Sequence, residues 1–348
     1  MQGRAISHRS IDDHFLQRND DLKVLNLKNG EKVHGTSIYC GQMLIHFGHQ
    51  FAEDMHRLWA MADYKYDHLI FAKQMNREAT KQIIRDAVLY LGGDLNKILF
   101  VDRHKPYNYD HLIIPDRGSQ MEHKFEVTEA YLDKLSSMAT TQPDPKLKVF
   151  VTRRHLKDLG YVAGESYIAR ELSKNGFIDF TPEGTSYSEQ LNLYLNSKIL
   201  IFSEGSAIHG TDLIGRLPDC EAGVIRRRAS ESTGFLLKSK VKTLRSIDCR
   251  VAKTHPQERR TLSFIDPEAT IAWLQDFGVE VKLDMEKFVL DEGRDAVSYA
   301  RNSKIGPGEI LTIRDNIKSP KHRAELVGLI SCRRNRTISK IEKNPSGK

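Results

Sequence analysis

The sequence predicts an α/β protein made of two consecutive Rossmann-like domains, and three observations carry that expectation. Short apolar strands alternate with amphipathic helical stretches through both halves of the chain. A polar segment with two prolines, Thr140-Thr141-Gln142-Pro143-Asp144-Pro145, interrupts the alternation and reads as an extended linker. A length of 348 residues gives each half enough chain to bury its own core.

In the first domain, residues 1–140, Lys23 to Leu27 and Ser37 to Cys40 read as strands and His49 to Asp63 as a helix. A strand at His68 to Ala72 follows, then a helix from Asn76 to Leu91 closed by Gly92-Gly93, then strands at Lys97 to Asp102 and His111 to Pro115. In the second domain, residues 146–290, strands at Lys148 to Val151, Phe177 to Phe180 and Ile199 to Phe202 alternate with helices at Glu165 to Asn175, Ser188 to Ser197 and from about Ala207. Ala222 to Ile225 and Val279 to Leu283 are further strand candidates, and Pro267 to Phe277 a helix. Residues 291–348 form a helical extension with a basic tail. Such alternation implies largely parallel sheets covered by helices.

Hydrophobic residues at 39% and charged residues at 28% describe a globular chain, and no stretch is apolar enough for a membrane span. Residues 1–21 lack the apolar core of a secretory signal, so a cytoplasmic location is expected. Cys40, Cys220, Cys249 and Cys332 are far apart, without zinc or redox spacing, which suits unpaired thiols in a reducing compartment. The net charge of +7 gathers partly at the C-terminus, where Lys318, Lys321, Arg323, Arg333, Arg334, Arg336, Lys340, Lys343 and Lys348 face Glu325 and Glu342. That tail suits an anionic surface such as the inner membrane, and a solvated terminus explains it equally. Aromatic residues are not interleaved with the basic ones, so no nucleic-acid partner is expected.

Ligands of open α/β sheets bind beyond the carboxyl ends of the strands, which directs attention to two places in the second domain. Arg153 and Arg154 directly follow a strand, and guanidinium forks suit phosphate oxygens, although pairing with Asp158 or Glu165 is the structural alternative. Glu204-Gly205-Ser206-Ala207 ends another strand with small residues that let backbone approach a phosphate, a turn that many α/β units also use without a ligand. Glu165 opens a helix, where it either caps the dipole or meets a ribose hydroxyl. Glu189, three residues after Ser186, reads as a capping box.

In the first domain, α-helical spacing places His49, Glu53, and His56 or Arg57 on one face, and Phe51, Met55, Leu58 and Trp59 on the buried one. Three roles are open to His49: a structural histidine, a general base backed by Glu53 or Asp54, or a metal ligand together with His46 and Glu53. The last needs three well-aimed side chains outside any standard zinc spacing, so no metal is expected.

Taken in order, Gly48-His49 with Arg57, Thr152-Arg153-Arg154, Gly164-Glu165, Gly176-Phe177, Ser188-Glu189-Gln190 and Glu204-Gly205-Ser206 resemble the family 61 glycosyltransferases over roughly His46 to Gly215. Gly164 departs from the family's usual asparagine and Glu204 from its usual histidine. The resemblance implies a GT-B fold, two Rossmann-like domains facing a central cleft, and a metal-independent, inverting transfer. It implies a nucleoside diphosphate sugar as donor, UDP-linked rather than GDP-linked, bound by Arg153, Arg154, Glu165, Glu204, Gly205, Ser206 and Ala207. His49 with Glu53 would then be the catalytic pair, and a glycan or lipid-linked acceptor of bacterial capsule, exopolysaccharide or lipopolysaccharide assembly the partner. The alternatives are a non-catalytic nucleotide- or nucleic-acid-binding Rossmann-like protein and another GT-B enzyme such as a fucosyltransferase.

Overall fold

The computed structural model describes residues 30–73, 77–115, 128–228, 235–253 and 261–343. Two compact units partition the chain. The first runs up to Gln142 and includes Ser186–Leu191 and His209–Arg216; the second comprises Pro143–Thr185, Asn192–Ile208 and the chain from Leu217 onward. The expected strand at Lys23 to Leu27 lies outside the described residues.

The first unit is built on a parallel sheet of β1 (Glu31–Met43), β2 (His68–Lys73), β3 (Ile98–Asp102) and β4 (Tyr107–Ile113), in the order β3-β2-β1-β4. Helix α1 (Phe47–His49) leads from β1 into a π-helix (Gln50–Asp54) and a 3-10 helix (Met55–Ala62). Helices α2 (Glu78–Tyr90) and α3 (Glu129–Met138) complete it, the latter capped by Thr128, whose hydroxyl accepts from Tyr131 N. Ile38, Leu69, Phe71, Ile84 and Leu132 are fully buried, as the apolar spacing of these stretches requires.

The expected α-helix from His49 to Asp63 is corrected: the run is π-helical and then 3-10, so its side chains do not follow a 100° step. His56 and Arg57 are consequently buried with Met55 and Leu58 rather than on an open face.

The second unit carries a five-stranded parallel sheet of β5 (Leu147–Val151), β7 (Phe177–Phe180), β8 (Ser197–Ser203), β9 (Leu217–Ile225) and β10 (Val241–Ile247), in the order β10-β9-β8-β5-β7. From β5 the chain passes through α4 (Glu165–Lys174) to β7 on one side, then through α5 (Tyr187–Leu195) to β8 on the other. The strand order therefore reverses between β5 and β8, the switch point at which doubly wound sheets bind ligands. A mixed sheet of β6 (Val162–Ala163), β11 (Arg250–Lys253) and β12 (Ser263–Ile265) lies in the same unit.

Helices α6 (Phe235–Lys238), α7 (Pro267–Gln275), α8 (Met285–Asn302), α9 (Pro307–Asn316) and α10 (Pro320–Lys343) follow. Ala296, Ile310, Ile313 and Leu326 of the last three join Tyr161, Ala163 and Phe264 in one apolar cluster. The expected strand at Val279 to Leu283 is absent. Val279 and Val281 bury into the core, but Asn175 takes the Glu280 backbone, accepting from its N–H and donating to its carbonyl, which leaves no ladder to form. Among the described residues no helix is long and apolar enough to cross a membrane.

Candidate functional site

At the switch point, the sequence after β5 and the sequence after β8 are brought together. The Glu165 carboxylate accepts from Thr152 Oγ1 at 2.7 Å, from Arg153 N at 2.5 Å and from Ser203 Oγ at 3.1 Å, tying the ends of both strands to the first turn of α4. The Arg153 side chain, only 7% exposed, runs along Gly205. Its Nη2 reaches the Gly160 carbonyl at 3.5 Å, and its Nε meets no acceptor among the described residues. Burial pulls its pKa down from the usual arginine range, against the opposing pull of Glu165, Glu183 and Glu204.

Glu204 turns to a strand that the sequence reading left unused. Its Oε2 accepts from the backbone N–H groups of Arg227 at 2.9 Å and Arg228 at 3.0 Å, and its Oε1 from Arg228 Nε at 3.1 Å. The Arg227 Nε donates to the Glu204 carbonyl at 3.0 Å. Arg227 is buried; burial first, then the neighbouring Arg153 and Arg228, draw its pKa down to about 9, so it stays protonated at neutral pH. Adjacent strands thus deliver Arg153, Arg227 and Arg228 with the Gly205 turn to one sheet end. Such a set gathers guanidinium charge at one sheet end where little water competes, and guanidinium groups suit phosphate oxygens.

Arg154 leaves this group and pairs with Asp179, while its neighbour His155 meets Glu183 at 2.6 Å. Ser206 begins a 3-10 helix (Ser206–Thr211), in which Ala207 is buried. Capping of α4, which the sequence assigned to Glu165 as one alternative, falls to Asp295 of α8. Its carboxylate accepts from Gly164 N at 3.0 Å, Ser166 N at 3.2 Å and Ser166 Oγ at 2.6 Å. Gly164 has φ of 89°, in the left-handed region that glycine and asparagine tolerate best, and a Cβ there would stand 2.6 Å from the Phe288 ring. The Ser186–Glu189 capping box is present, with Ser186 N donating to Glu189 at 2.7 Å and Glu189 N to Ser186 Oγ at 3.2 Å.

In the first unit, His49 is half-buried at the end of α1, its ring 4.8 Å from that of His46. The Glu53 side chain lies outside the described residues. A second polar cluster is buried in the same unit: Asp212 Oδ2 stands 2.9 Å from His209 Nδ1 and 3.6 Å from His56 Nε2, and His56 Nδ1 lies 3.2 Å from the Tyr131 hydroxyl. Burial raises the Asp212 pKa, but His209 and His56 more than offset this and hold the carboxyl well below its ordinary range.

Sequence reasoning missed Arg227, Arg228, His209, Asp212 and Tyr131. Ile225-Arg226-Arg227-Arg228 repeats the strand-then-arginine pattern of Val151 to Arg154, and that signal was available. His209 and Asp212 stand three apart just after the small-residue turn, whereas their junction with His56 and Tyr131 joins segments far apart in the sequence and leaves no local trace.

No curated protein matches the chain. Residues 47–214 match the family model described as glycosyltransferase 61, a segment that contains Arg153, Arg154, Glu165, Gly205, His209 and Asp212. Over that segment, somewhat less than half of its length, the chain is similar to the glycosyltransferase 61 family.

Proposed function

We propose that this protein is an inverting glycosyltransferase that moves a hexosyl or pentosyl group from a nucleoside diphosphate sugar, UDP-linked before GDP-linked, to a glycan or lipid-linked acceptor. The pathway in this reading is bacterial capsule, exopolysaccharide or lipopolysaccharide assembly on the cytoplasmic side of the inner membrane. A GT-B fold and contact of the basic C-terminus with anionic lipid belong to the same reading.

The observation that supports it most is Arg153, buried beside Gly205 with Arg227 and Arg228 at the switch point of a parallel sheet. A leaving diphosphate gathers negative charge as the glycosidic bond breaks. Fixed guanidinium groups meet that charge without reorganising, so the reading needs no metal. Glu165 and Glu204 hold the loops in place, and Arg154, Ser206 and Ala207 border the donor. An acceptor hydroxyl also needs a base, and His49 with Glu53 is the pair the family resemblance supplies.

A panel of UDP-, GDP-, TDP- and CMP-linked sugars tests this, with nucleotide release and thermal shift as readouts. At least one nucleoside diphosphate sugar should turn over, and Arg153→Ala should lower kcat/KM by about a hundredfold or more, the cost of removing a charge-stabilising donor. Stabilisation by nucleotides with no transfer to any acceptor would favour the non-catalytic binding protein instead.

A further inference from the structure

The carboxylates around Arg153 are not equivalent. Glu165 binds Thr152, Arg153 N and Ser203, and Glu204 binds Arg227 and Arg228, so both fasten loops. Glu183 stands apart: its carboxylate meets the His155 ring at 2.6 Å, half of its side chain is exposed, and its charge acts on Arg153. Burial raises its pKa, but His155, its own N–H and Arg153 more than offset this, so the group is ionised at neutral pH. The turn that carries it is well defined. Thr185 N donates to the Pro182 carbonyl at 3.2 Å, and Gly184 takes the third position with φ of 92°, as a type II turn requires.

Within the same unit, five buried polar atoms meet no hydrogen-bond partner among the described residues: Arg153 Nε, both ring nitrogens of His155, Asp179 Oδ1 and the Tyr194 hydroxyl. The Glu183 carboxylate lies close to His155 but off the direction of a hydrogen bond, which leaves both nitrogens unfilled. Asp179 is held alongside by Arg154, the neighbour of His155, through its other oxygen. Tyr194 packs on Phe180 and Phe202, ring centres 6.2 and 5.6 Å away, and is fully buried. Burial first, then the Glu183 charge, push its pKa up, so it is a neutral phenol. Each buried polar atom left unpaired costs about 1–3 kcal/mol, and packing alone does not require five of them at the ends of β5 and β7.

The chemistry of these atoms restricts what can pair them. Arg153 Nε only donates, Glu183 and Asp179 only accept, and His155 and Tyr194 can do both. A further phosphate offers acceptors alone and would face two carboxylates; an apolar group would leave every one of these atoms unpaired. Neighbouring hydroxyls on one ring donate and accept, and so suit a carboxylate beside a guanidinium. We propose that Glu183, with His155, Asp179 and Tyr194, forms a subsite for a vicinal diol of the donor, next to the diphosphate position at Arg153. The inference rests on the nucleotide-sugar reading above. Such a donor carries vicinal hydroxyls in two places, its ribose and its transferred sugar, and the test separates them.

The experiment measures equilibrium binding to the full chain of UDP, 2′-deoxy-UDP and UDP-glucose, and of GDP, 2′-deoxy-GDP and GDP-mannose. If ribose occupies the subsite, wild type should bind the 2′-deoxy nucleotide about tenfold more weakly than its parent, the worth of a hydrogen bond to a charged group, and Glu183→Gln should abolish that gap. If the transferred sugar occupies it, Glu183→Gln should weaken the nucleotide sugar about tenfold while the parent nucleotide binds as before or more tightly. In either arm Tyr194→Phe should weaken the same ligand and leave the melting temperature of the ligand-free protein unchanged or higher, because it deletes a buried hydroxyl without a partner. Equal changes for all ligands in Glu183→Gln overturn the inference, whether they are nil or the uniform gain expected of a mere counter-charge to Arg153. So does a Tyr194→Phe variant that melts earlier and binds normally, since the hydroxyl then serves the fold. A wild-type chain that binds none of these nucleotides brings down the donor reading itself, whereas binding without either discrimination brings down the diol subsite alone.

Discussion

A Cβ at position 205 would stand 2.1 Å from Nη1 of Arg153 and 2.8 Å from its Cζ and Cδ. Glycine at 205 is therefore a condition for where the guanidinium lies. A long side chain normally swings away from a new methyl group, but Arg153 is buried and has little room to do so. Gly205→Ala should fold, lose about 1–3 kcal/mol as an overpacked site does, and weaken nucleotide binding tenfold or more. Urea unfolding and a nucleotide titration check it; unchanged affinity would show that the Arg153 position does not matter to the donor.

Glu204 makes a different kind of prediction, because its carboxylate serves the backbone N–H groups of Arg227 and Arg228 together with the Arg228 side chain. Glu204→Ala strands those donors and leaves buried positive charge without its partner, which costs about 3–5 kcal/mol. Glu204→Gln keeps one acceptor and should cost less than half of that. Equal losses in the two variants, read as denaturation midpoints at constant m, would show that charge is not what Glu204 contributes.

The strands were legible because a buried parallel strand is a short apolar run bounded by polar residues, as at Val149 to Val151 and Leu200 to Phe202. The capping box at Ser186 and Glu189 was legible because both partners lie within one turn. From His49 onward the helix type was misread, since π- and 3-10 geometry is set by packing that a 3.6-residue period does not encode. Glu165 was placed correctly at its helix start, but the cap comes from Asp295, 129 residues beyond Ser166. Local sequence shows which residues sit at strand ends and not which of them meet, and so Arg153 was found without Arg227 and His56 without Asp212.

Asp295 also makes the stability of the second unit pH-dependent. Burial, and to a lesser degree Glu165, push its carboxyl up to about 7, against the donors of Ser166 and Gly164. In the unfolded chain it titrates near about 3.9. Between those values the folded protein keeps a proton that the unfolded chain has lost. The stability from this group is therefore full below the lower value, declines as pH rises, and is lost above the upper one. The span corresponds to at most about 4 kcal/mol. Glu292, pushed up to about 7 by burial, adds a term of the same sign. Asp295→Asn removes one slope at a constant hydrogen-bond cost, so the melting-temperature gap between wild type and variant should shrink steadily from pH 4 to pH 7. A gap that stays level across that range rules out Asp295 as the source.

Two ion pairs of the first unit separate what burial does to charge. Arg57 donates to Asp54 at 3.0 Å with both side chains nearly dry, and its guanidinium lies 5.8 Å from the centre of the Tyr39 ring. Arg216 pairs with Glu129 and Asp133, both of them exposed. Removing Arg57 takes the counter-charge from a buried carboxylate, so Arg57→Ala should cost about 3–5 kcal/mol, and the loss should persist in 1 M salt. Removing Arg216 exposes its partners to water that already solvates them; Arg216→Ala should cost at most about 1 kcal/mol, most of it gone at high salt. The same ordering bears on the Arg153 region, where Arg153 and Arg227 are buried as well. If Arg57→Ala proved as mild as Arg216→Ala, burial in this chain would not set the worth of a charge, and the strength assigned to Arg153 and Arg227 would fall with it.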